Sequence, residues 1–306
     1  MNFYDLEALV AIVDYGSVVG AAAGLHVTQS AITRRLRSLE DALGVPLLDH
    51  KTRPLQPTRA GLETYTFAKQ VLNSVSDLKA AVVDDGEPSG GFRLGVARSL
   101  SGTVLTESIC CLRAEYPKLT IQAFSRWSAQ LMDQITNRTL DAAAVLLPPG
   151  ETPPPTLIGE YLGTESFTVV AAKNSPVPPT STLHDLSSYG WIANPNGCGT
   201  RRTMESALAA HRLPYKIAVE VEGHELQLSL VAQGVGLALV MPQVFRASEF
   251  RKQLKVVKVA DFLAEQAVWI VHASHIGRLA SVIETLRGVV KRSLHLKSNQ
   301  PELIVS

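Results

Sequence analysis

Gln29, Ser30, Thr33, Arg34 and Arg37 fall on one face of any helix wound through the stretch VTQSAITRRLRSLEDALG. Ser30, Thr33, Arg34 and Arg37 recur at i, i+3, i+4 and i+7, with Gln29 beside them near the first turn, so they form one polar, basic row without an acid. These side-chain types hydrogen-bond base edges and phosphates: Gln to adenine, Arg to guanine or phosphate, Ser and Thr to either. On the opposite side, Ile32, Leu36, Leu39 and Leu43 line up at the same period and must face a core. Thr28 supplies an N-cap oxygen and stands next to the polar row as a further candidate contact, while Gly44 and the following Val45-Pro46 end the helix.

The elements that must hold this helix lie on either side of it. Upstream, GSVVGAAAGLHV offers Ser17 as an N-cap, then a short helix of small residues from Val18 to about Leu25 and a tight connection through His26 and Val27. Small side chains let two helices approach closely, and a short helix, a turn and a second helix with a basic outer face make a helix-turn-helix, whose second helix enters the major groove. Charge agrees with this: residues 1–25 hold acids but no Lys or Arg, whereas residues 26–59 hold six basic side chains against three acidic ones. Downstream, VPLLDHKTRPLQPTRAG reads as a short two-stranded wing, its prolines tolerated because such strands are edges. Lys51 and Arg53 at its tip are candidate contacts to phosphates or a minor groove.

The stretch DLEALVAIVDYGSVVGAAAGLHVTQSAITRRLRSLEDALGVPLL, followed by RPLQPTRAG, resembles the N-terminal domain of the LysR-type transcriptional regulators. Gly16-Ser17, Ala21-Ala22-Ala23, Val27-Thr28-Gln29-Ser30, Leu39-Glu40, Leu43-Gly44-Val45-Pro46-Leu47 and Thr58-Arg59-Ala60-Gly61 stand in the family's order, with Leu48 where Phe is usual and His50 where Arg is common. The resemblance implies double-stranded DNA carrying an interrupted inverted repeat as one partner, the transcription machinery as another, and a homodimer or homotetramer. The architecture that follows from it is a winged helix-turn-helix over residues 1–60, a linker helix over 58–85, a hinge over 86–91, and a two-lobed α/β domain like periplasmic binding proteins over 92–306. Lobe 1 is expected at about 92–164 and 267–306, and lobe 2 at about 165–266.

The linker carries its own signal. Phe67, Val71, Val75, Leu78 and Val82 are spaced by four, four, three and four residues, an apolar seam that needs a partner and predicts at least a dimer. A long helix folded back onto its own chain would cover the seam equally well. Beyond DDGEPSGG, short apolar strands alternate with amphipathic helices, a pattern that predicts parallel sheets covered on both faces. FRLGVA, LTIQAF, LDAAAVLL and FTVVAA form the first series; WIANP, IAVEVE and GLALVM form the second, before AVWIVHA returns. Helices are expected at Thr103 to Glu115, Ala129 to Asn137, about Thr200 to His211, about Leu226 to Gln233, and from about Ile276 into the 290s.

Composition narrows the function. At 306 residues, 46% hydrophobic and 19% charged, the chain can form two or more well-cored domains and is neither disordered nor membrane-spanning. No apolar run reaches the roughly eighteen residues a spanning helix needs, and MNFYDLEALV lacks a basic leader, so the expected location is the cytoplasm with no membrane partner. A net charge of +1 leaves DNA binding to the local basic patch. There is no dinucleotide fingerprint, P-loop, metal spacing or nucleophile elbow, so neither an enzymatic function nor a cofactor is expected. A solute-binding protein would lack the helix-turn-helix.

What remains is a site for a small-molecule effector. In a two-lobed cleft, loops after strands and helix N-termini meet the ligand's polar groups. Three loops qualify: ARSLSGT with Ser99, Ser101 and Thr103; SRWS with Ser125, Trp127 and Ser128; and NGCGTR with Cys198, Thr200 and Arg201. The first and third are where the resembling family commonly holds its effector, often a carboxylate. The expected ligand is a small organic anion, its acid group on the hydroxyls of Ser99, Ser101 and Thr200, an apolar part under Trp127, and Arg98 or Arg201 adding charge. The alternative is a redox-sensing regulator using Cys198, whose thiolate a helix N-terminus and two following arginines would stabilise. No second cysteine lies downstream to resolve it, and Cys110 and Cys111 are expected in the core.

Overall fold

The computed structural model describes residues 1–49, 52, 55–82, 87–274 and 276–296, with the backbone alone for 76, 77, 79–82 and 103. The chain forms two compact units that divide at Gly86/Glu87.

In the first unit, α1 (Phe3–Tyr15) starts at a capping box between Asn2 and Asp5 and stops at Gly16, which is left-handed at φ 67°. The next helix, α2 (Val18–Gly24), is capped by Ser17, whose hydroxyl accepts from the Gly20 N–H at 3.0 Å. Then comes α3 (Gln29–Leu43), capped by Thr28 and ended by left-handed Gly44. Ile32, Leu36 and Leu39 of α3 are buried against Ala8, Leu9 and Ile12 of α1 and Ala21 and Ala22 of α2. Each buried Leu or Ile contributes about 2 kcal/mol by leaving water, and each alanine methyl less. Leu43, expected in the same stripe, is 42% exposed, because the helix ends there and no neighbour reaches it.

The wing is β1 (Leu48–Asp49) paired antiparallel with β2 (Gln56–Pro57). Its tip, with His50, Lys51 and Arg53, lies outside the described residues. Thr58 locks the wing to the helix that follows: its hydroxyl donates to the Pro46 carbonyl at 2.9 Å and accepts from the Gly61 N–H at 3.0 Å. A Cβ at Gly61 would run into the Leu47 carbonyl oxygen, so only glycine fits. Glu40 accepts from the Leu47 N–H at 2.7 Å. The long helix α4 (Arg59–Val82) rests on α1 through Lys69 and Tyr65, both bonded to Asp14.

The second unit has two lobes. Lobe 1 holds β3 (Gly90–Ala97), α5 (Thr106–Glu115), β4 (Leu119–Arg126), α6 (Ser128–Thr136), β5 (Ala142–Leu147) and β6 (Ile158–Ser166). Lobe 2 follows with β7 (Thr168–Ala172), β8 (Thr180–Ser181), α7 (Leu183–Leu186), β9 (Trp191–Ala193), α8 (Gly199–Ala210), β10 (Ile217–Glu220), α9 (His224–Ala232), β11 (Ala238–Val240), α10 (Pro242–Ala247) and β12 (Leu254–Val259). The chain returns through β13 (Glu265–His272) and ends in α11 (Ala280–Ser293).

The first sheet has the order β4-β3-β5-β13-β6 and the second β11-β7-β12-β8, with β9 and β10 a parallel pair beside it. The alternation of strands and helices predicted parallel sheets, but neither main sheet is wholly parallel. β13 runs antiparallel to both β5 and β6, and β7 is antiparallel to β11 and β12. FTVVAA, read as the end of the first series, lies in the second sheet as β7. Gly90 and Gly91, read as hinge, pair with Leu119 and Thr120 as the start of β3. Along β5 the side chains alternate between two apolar clusters, Ala142, Ala144 and Leu146 in one and Ala143, Val145 and Leu147 in the other. The strand is thereby buried on both faces, the period-two consequence of a sheet covered by helices on each side.

Candidate nucleic-acid interface and effector cleft

On α3 the row foreseen from spacing faces outward. Gln29, Ser30, Arg34 and Arg37 are exposed, Thr33 is half-buried, and neither Arg34 nor Arg37 makes an ion pair or hydrogen bond. Thr28 and Ser30 share a hydroxyl contact of 3.0 Å, and the Thr33 hydroxyl donates back to the Gln29 carbonyl at 3.0 Å, which fixes both rotamers at the start of the helix. Ser30, Thr33, Arg34, Arg37 and Ser38 line a shallow open groove along the helix. Asp41 closes its C-terminal end, so the face is not wholly free of acids. The neighbouring Arg35 is turned away, its guanidinium 5.0 Å from the Tyr4 ring centre.

The seam on α4 is only partly covered within one chain. Phe67 is 65%, Val71 47% and Leu78 64% exposed, whereas Val75 is half-buried. The Val82 side chain lies outside the described set. The helix therefore does not fold back to bury Phe67, Val71 or Leu78 in its own unit.

Between the lobes, three loops converge through Arg98 and Trp127. The Arg98 guanidinium sits 5.0 Å from the Trp127 ring centre, and the same ring edge lies 4.0 Å from where a Cβ of Gly197 would stand. Ser99 adjoins this cluster, half-buried and with no hydrogen-bond partner in the chain. Ser101 serves its own turn, donating to the Arg98 carbonyl at 2.8 Å, and Ser128 accepts from the Leu146 N–H at 3.0 Å, tying α6 to the end of β5. Ser125 is half-buried at the end of β4, and the Thr103 side chain lies outside the described set.

Cys198 is the N-cap of α8 and its side chain makes no cap bond to the first N–H groups of that helix. The thiol is 2% exposed, and its sulfur is 3.0 Å from the hydroxyl of buried Thr200. Cys110 is exposed and Cys111 partly so, contrary to the core expected for both, because α5 turns them away from the sheet.

Neither arginine is a free cation. Arg98 donates to Glu222 at 2.8 Å, and Arg201 is bonded to Glu205 at 2.8 Å and to Glu220, bonds that raise the guanidinium pKa, Glu205 contributing most. The charge role expected of Arg98 or Arg201 is thus already taken up by carboxylates of the same chain.

Groups on the crossing strands and at the start of α9 also face this region and are not marked by residue spacing. Gln266 of β13 is 1% exposed; its amide donates to the Thr203 hydroxyl at 3.1 Å and lies against Gly199, while its Oε1 has no partner. Directly opposite in register is Glu165 of β6, whose carboxyl pKa burial pushes up to about 7, only partly offset by the positive charge of Arg246. His224 opens α9 with both ring nitrogens buried and unpartnered. Burial first, and the Arg98 charge with it, lowers its pKa despite Gln227 alongside, which keeps the imidazole neutral. Both carry weak signals in the sequence. Gly159 and Gly163 dilute the β6 pattern, and Gly223 caps α9 where Ser, Thr, Asp or Asn would have marked its start.

A winged helix-turn-helix joined to a two-lobed α/β domain defines a DNA-binding regulator that carries its own ligand-binding domain. Residues 3–62 match the family model of bacterial regulatory helix-turn-helix proteins of the lysR family, and residues 85–292 match the LysR substrate binding domain. The chain belongs to the LysR family of transcriptional regulators. It is 27% identical over 245 residues to the nitrogen assimilation regulatory protein Nac of Escherichia coli, covering 79% of each chain. It is also 27% identical over 241 residues to the transcriptional regulator CzcR of Bacillus anthracis, covering 78% of this chain and 80% of the relative. In fold it resembles a full-length OxyR variant from Pseudomonas aeruginosa (TM-score 0.75, 19% identity, 98% and 99% of the two chains). A similar likeness holds to full-length CbnR in complex with its target DNA (TM-score 0.66, 18% identity, 96% and 100%). Among the described residues no single helix is long and apolar enough to cross a membrane.

Proposed function

We propose that α3 reads a DNA major groove through Gln29, Ser30, Thr33, Arg34 and Arg37, that two copies of the chain pair along α4, and that an anionic effector in the interlobe cleft sets their activity. The observation that carries the reading is the outer row of α3, where two arginines stand in solvent with no carboxylate partner. Open cations in a row with hydrogen-bonding side chains suit a polyanion, whose phosphates they neutralise with release of counterions. Paired copies address two half-sites about one helical turn apart, hence an interrupted inverted repeat. Phe67, Val71 and Leu78 supply the apolar surface for that pairing, and a tetramer is compatible with it.

In the cleft, the effector's acid group rests on the uncapped N-terminus of α8 and the hydroxyls of Ser99 and Thr200, with Trp127 against its apolar part. The helix dipole and N–H groups, rather than arginines, then neutralise the ligand. Thiol sensing by Cys198 is disfavoured by its burial and by the distribution of the other cysteines, which lie on α5 in lobe 1.

The test is selection of duplexes from a random pool by the full-length protein, followed by a thermal-shift screen of organic acids. The reading expects a symmetric, interrupted motif and a stabilising acid. Ser99→Ala and Thr200→Val should each remove the ligand response while leaving DNA affinity unchanged. Enrichment of no symmetric motif defeats the DNA half of the reading, and an intact acid response in both variants defeats the effector half.

A further inference from the structure

A second cavity, of about 260 Å³, lies where the loop after β3 in lobe 1 faces α9 and α10 of lobe 2. Its lining shares only Ser99 with the residues assigned above to the effector's acid group. From lobe 1 it is bounded by Ser99, Leu100 and Gly102, and from lobe 2 chiefly by His224, Glu225 and Gln243. The volume is slightly below the roughly 300–1,000 Å³ of drug-sized sites, so its guest is a small metabolite. The backbone on the lobe 1 side is irregular, a 3₁₀ turn at Arg98–Leu100 running into a π-helical turn at Ser101–Leu105, an arrangement that recurs at functional sites. A Cβ built on Gly102 meets nothing within 4 Å, which leaves that side of the cavity open.

The polar groups around the cavity have a common character. Glu225 makes no ion pair, and neither the Ser99 hydroxyl nor the Gln243 amide has a partner in the chain. All three can accept hydrogen bonds. Among the described lining residues Glu225 is the only charged side chain, and Arg98 on the lobe 1 side is held by Glu222 at 2.8 Å. An anion here would face the Glu225 carboxylate, which makes no ion pair and has only the first turn of α9 beside it. A primary ammonium brings three donors to three open acceptors and one positive charge to one negative. Leu100, Leu228 and Val244 supply an apolar wall for a hydrocarbon stem. The neutral ring of His224, buried without a partner, does not oppose a cation as a protonated ring would.

We propose that this cavity is a binding site for a small primary amine with an apolar stem, its ammonium on Glu225, Ser99 and Gln243 and its stem against Leu100, Leu228 and Val244. Because the lining comes from both lobes, the guest ties them together next to the Arg98–Glu222 pair.

Benzylamine is the probe, titrated calorimetrically into the full-length protein beside benzyl alcohol and benzoate of the same shape. Benzylamine should bind with a dissociation constant of about 1 mM or tighter, and the alcohol and the acid at least tenfold more weakly. Glu225→Gln removes the charge at an exposed position, and Ala247→Phe fills the cavity from its exposed rim. Each should weaken benzylamine at least tenfold while the melting temperature stays near that of the native protein. Thr200→Val, which addresses the anionic effector, should leave benzylamine binding unchanged; Ser99, common to both readings, stays native in this arm, so failure of one reading is distinguishable from failure of the other. Three outcomes overturn the proposal: no benzylamine binding at about 10 mM, equal affinity for benzoate, or binding that survives either Glu225→Gln or Ala247→Phe.

Discussion

On α3, Arg34 and Arg37 stand in solvent without a carboxylate; in the interlobe cleft, Arg98 and Arg201 are each held by glutamates of their own chain. On the function proposed above, the contrast follows from the size of what each surface meets. A duplex brings a line of phosphates whose counterions are released on contact, so open cations on α3 gain their energy at the moment of binding. A cleft closing on one small molecule would bury any unmatched charge of its own each time it closed, at a cost of several kcal/mol. Pre-paired arginines avoid that cost, and the proposed site would then discriminate through helix ends, hydroxyls and the shape around Trp127.

The largest effect is expected where the basic row is duplicated. Val71→Asp combined with Leu78→Asp places charge on side chains already exposed in one chain, so helix content should hold by circular dichroism. If α4 pairs two copies, sedimentation should show a monomer, and affinity for a two-half-site duplex should fall by about 10² or more through lost avidity. A dimer that persists in this variant removes α4 from the interface.

Next in size is a difference in pH response. The Glu165 carboxyl is raised in the folded protein from 4.5 to about 7, so the fold binds its proton more tightly than the unfolded chain does. That contribution is fully present below pH 4.5 and is lost as pH rises through about 7, an amount on the order of 2 to 3 kcal/mol. Glu165→Gln should therefore flatten the stability profile between those values and raise the melting temperature at pH 8. Half-site affinity, which rests on arginines, should not follow the same curve. A native-like slope in the variant would place the titrating group elsewhere.

Arg34→Ala or Gln29→Ala should weaken specific DNA binding by about 1 to 3 kcal/mol, roughly 5- to 150-fold, with nonspecific binding less affected and the melting temperature unchanged. Parallel loss of stability and affinity would make the face structural and erase the contrast with the cleft. The smallest effect is expected from Arg201→Ala. It strands the half-exposed Glu205 and Glu220 at a cost of about 1 kcal/mol of stability, and it should leave an acid effector's affinity within twofold. A large affinity loss would mean that Arg201 contacts the ligand directly.

The two surfaces also differed in how much of them the sequence disclosed. On α3 the residues of the outward row and those that hold the helix lie within one short segment at a fixed period, so Thr28, Gly44 and the Ile32-Leu36-Leu39 stripe located Arg34 and Arg37 at once. Glu40 and Thr58 stood in a recognisable motif, though only the structure gives their work, bonding the Leu47 N–H and the Pro46 carbonyl. The cleft is assembled from segments more than a hundred residues apart, and no local period links Arg98 to Glu222 or Glu165 to Gln266. Loops after strands were found because strands are periodic, which brought out Ser99, Trp127 and Thr200. Which hydroxyls were already spent, as in Ser101 and Ser128, depends on backbone groups that the sequence does not position. The antiparallel β13 was hidden for a related reason: strand direction follows from where a chain returns, and residues 265–272 alternate in the same way whichever way they run.

That return strand also governs the timetable of synthesis. β13 is the neighbour of both β5 and β6, yet it leaves the ribosome only after the whole of lobe 2. Until His272 has emerged, β5, buried along its entire length in the finished sheet, has one side unpaired, and β6, whose only neighbour in that sheet is β13, has no strand partner. Open apolar edges of this kind recruit other chains. Lobe 2 is therefore best completed first, as a closed excursion, with β13 sealing the older half afterwards. A nascent chain halted anywhere between residues 167 and 264 is the form of this protein most in need of a chaperone.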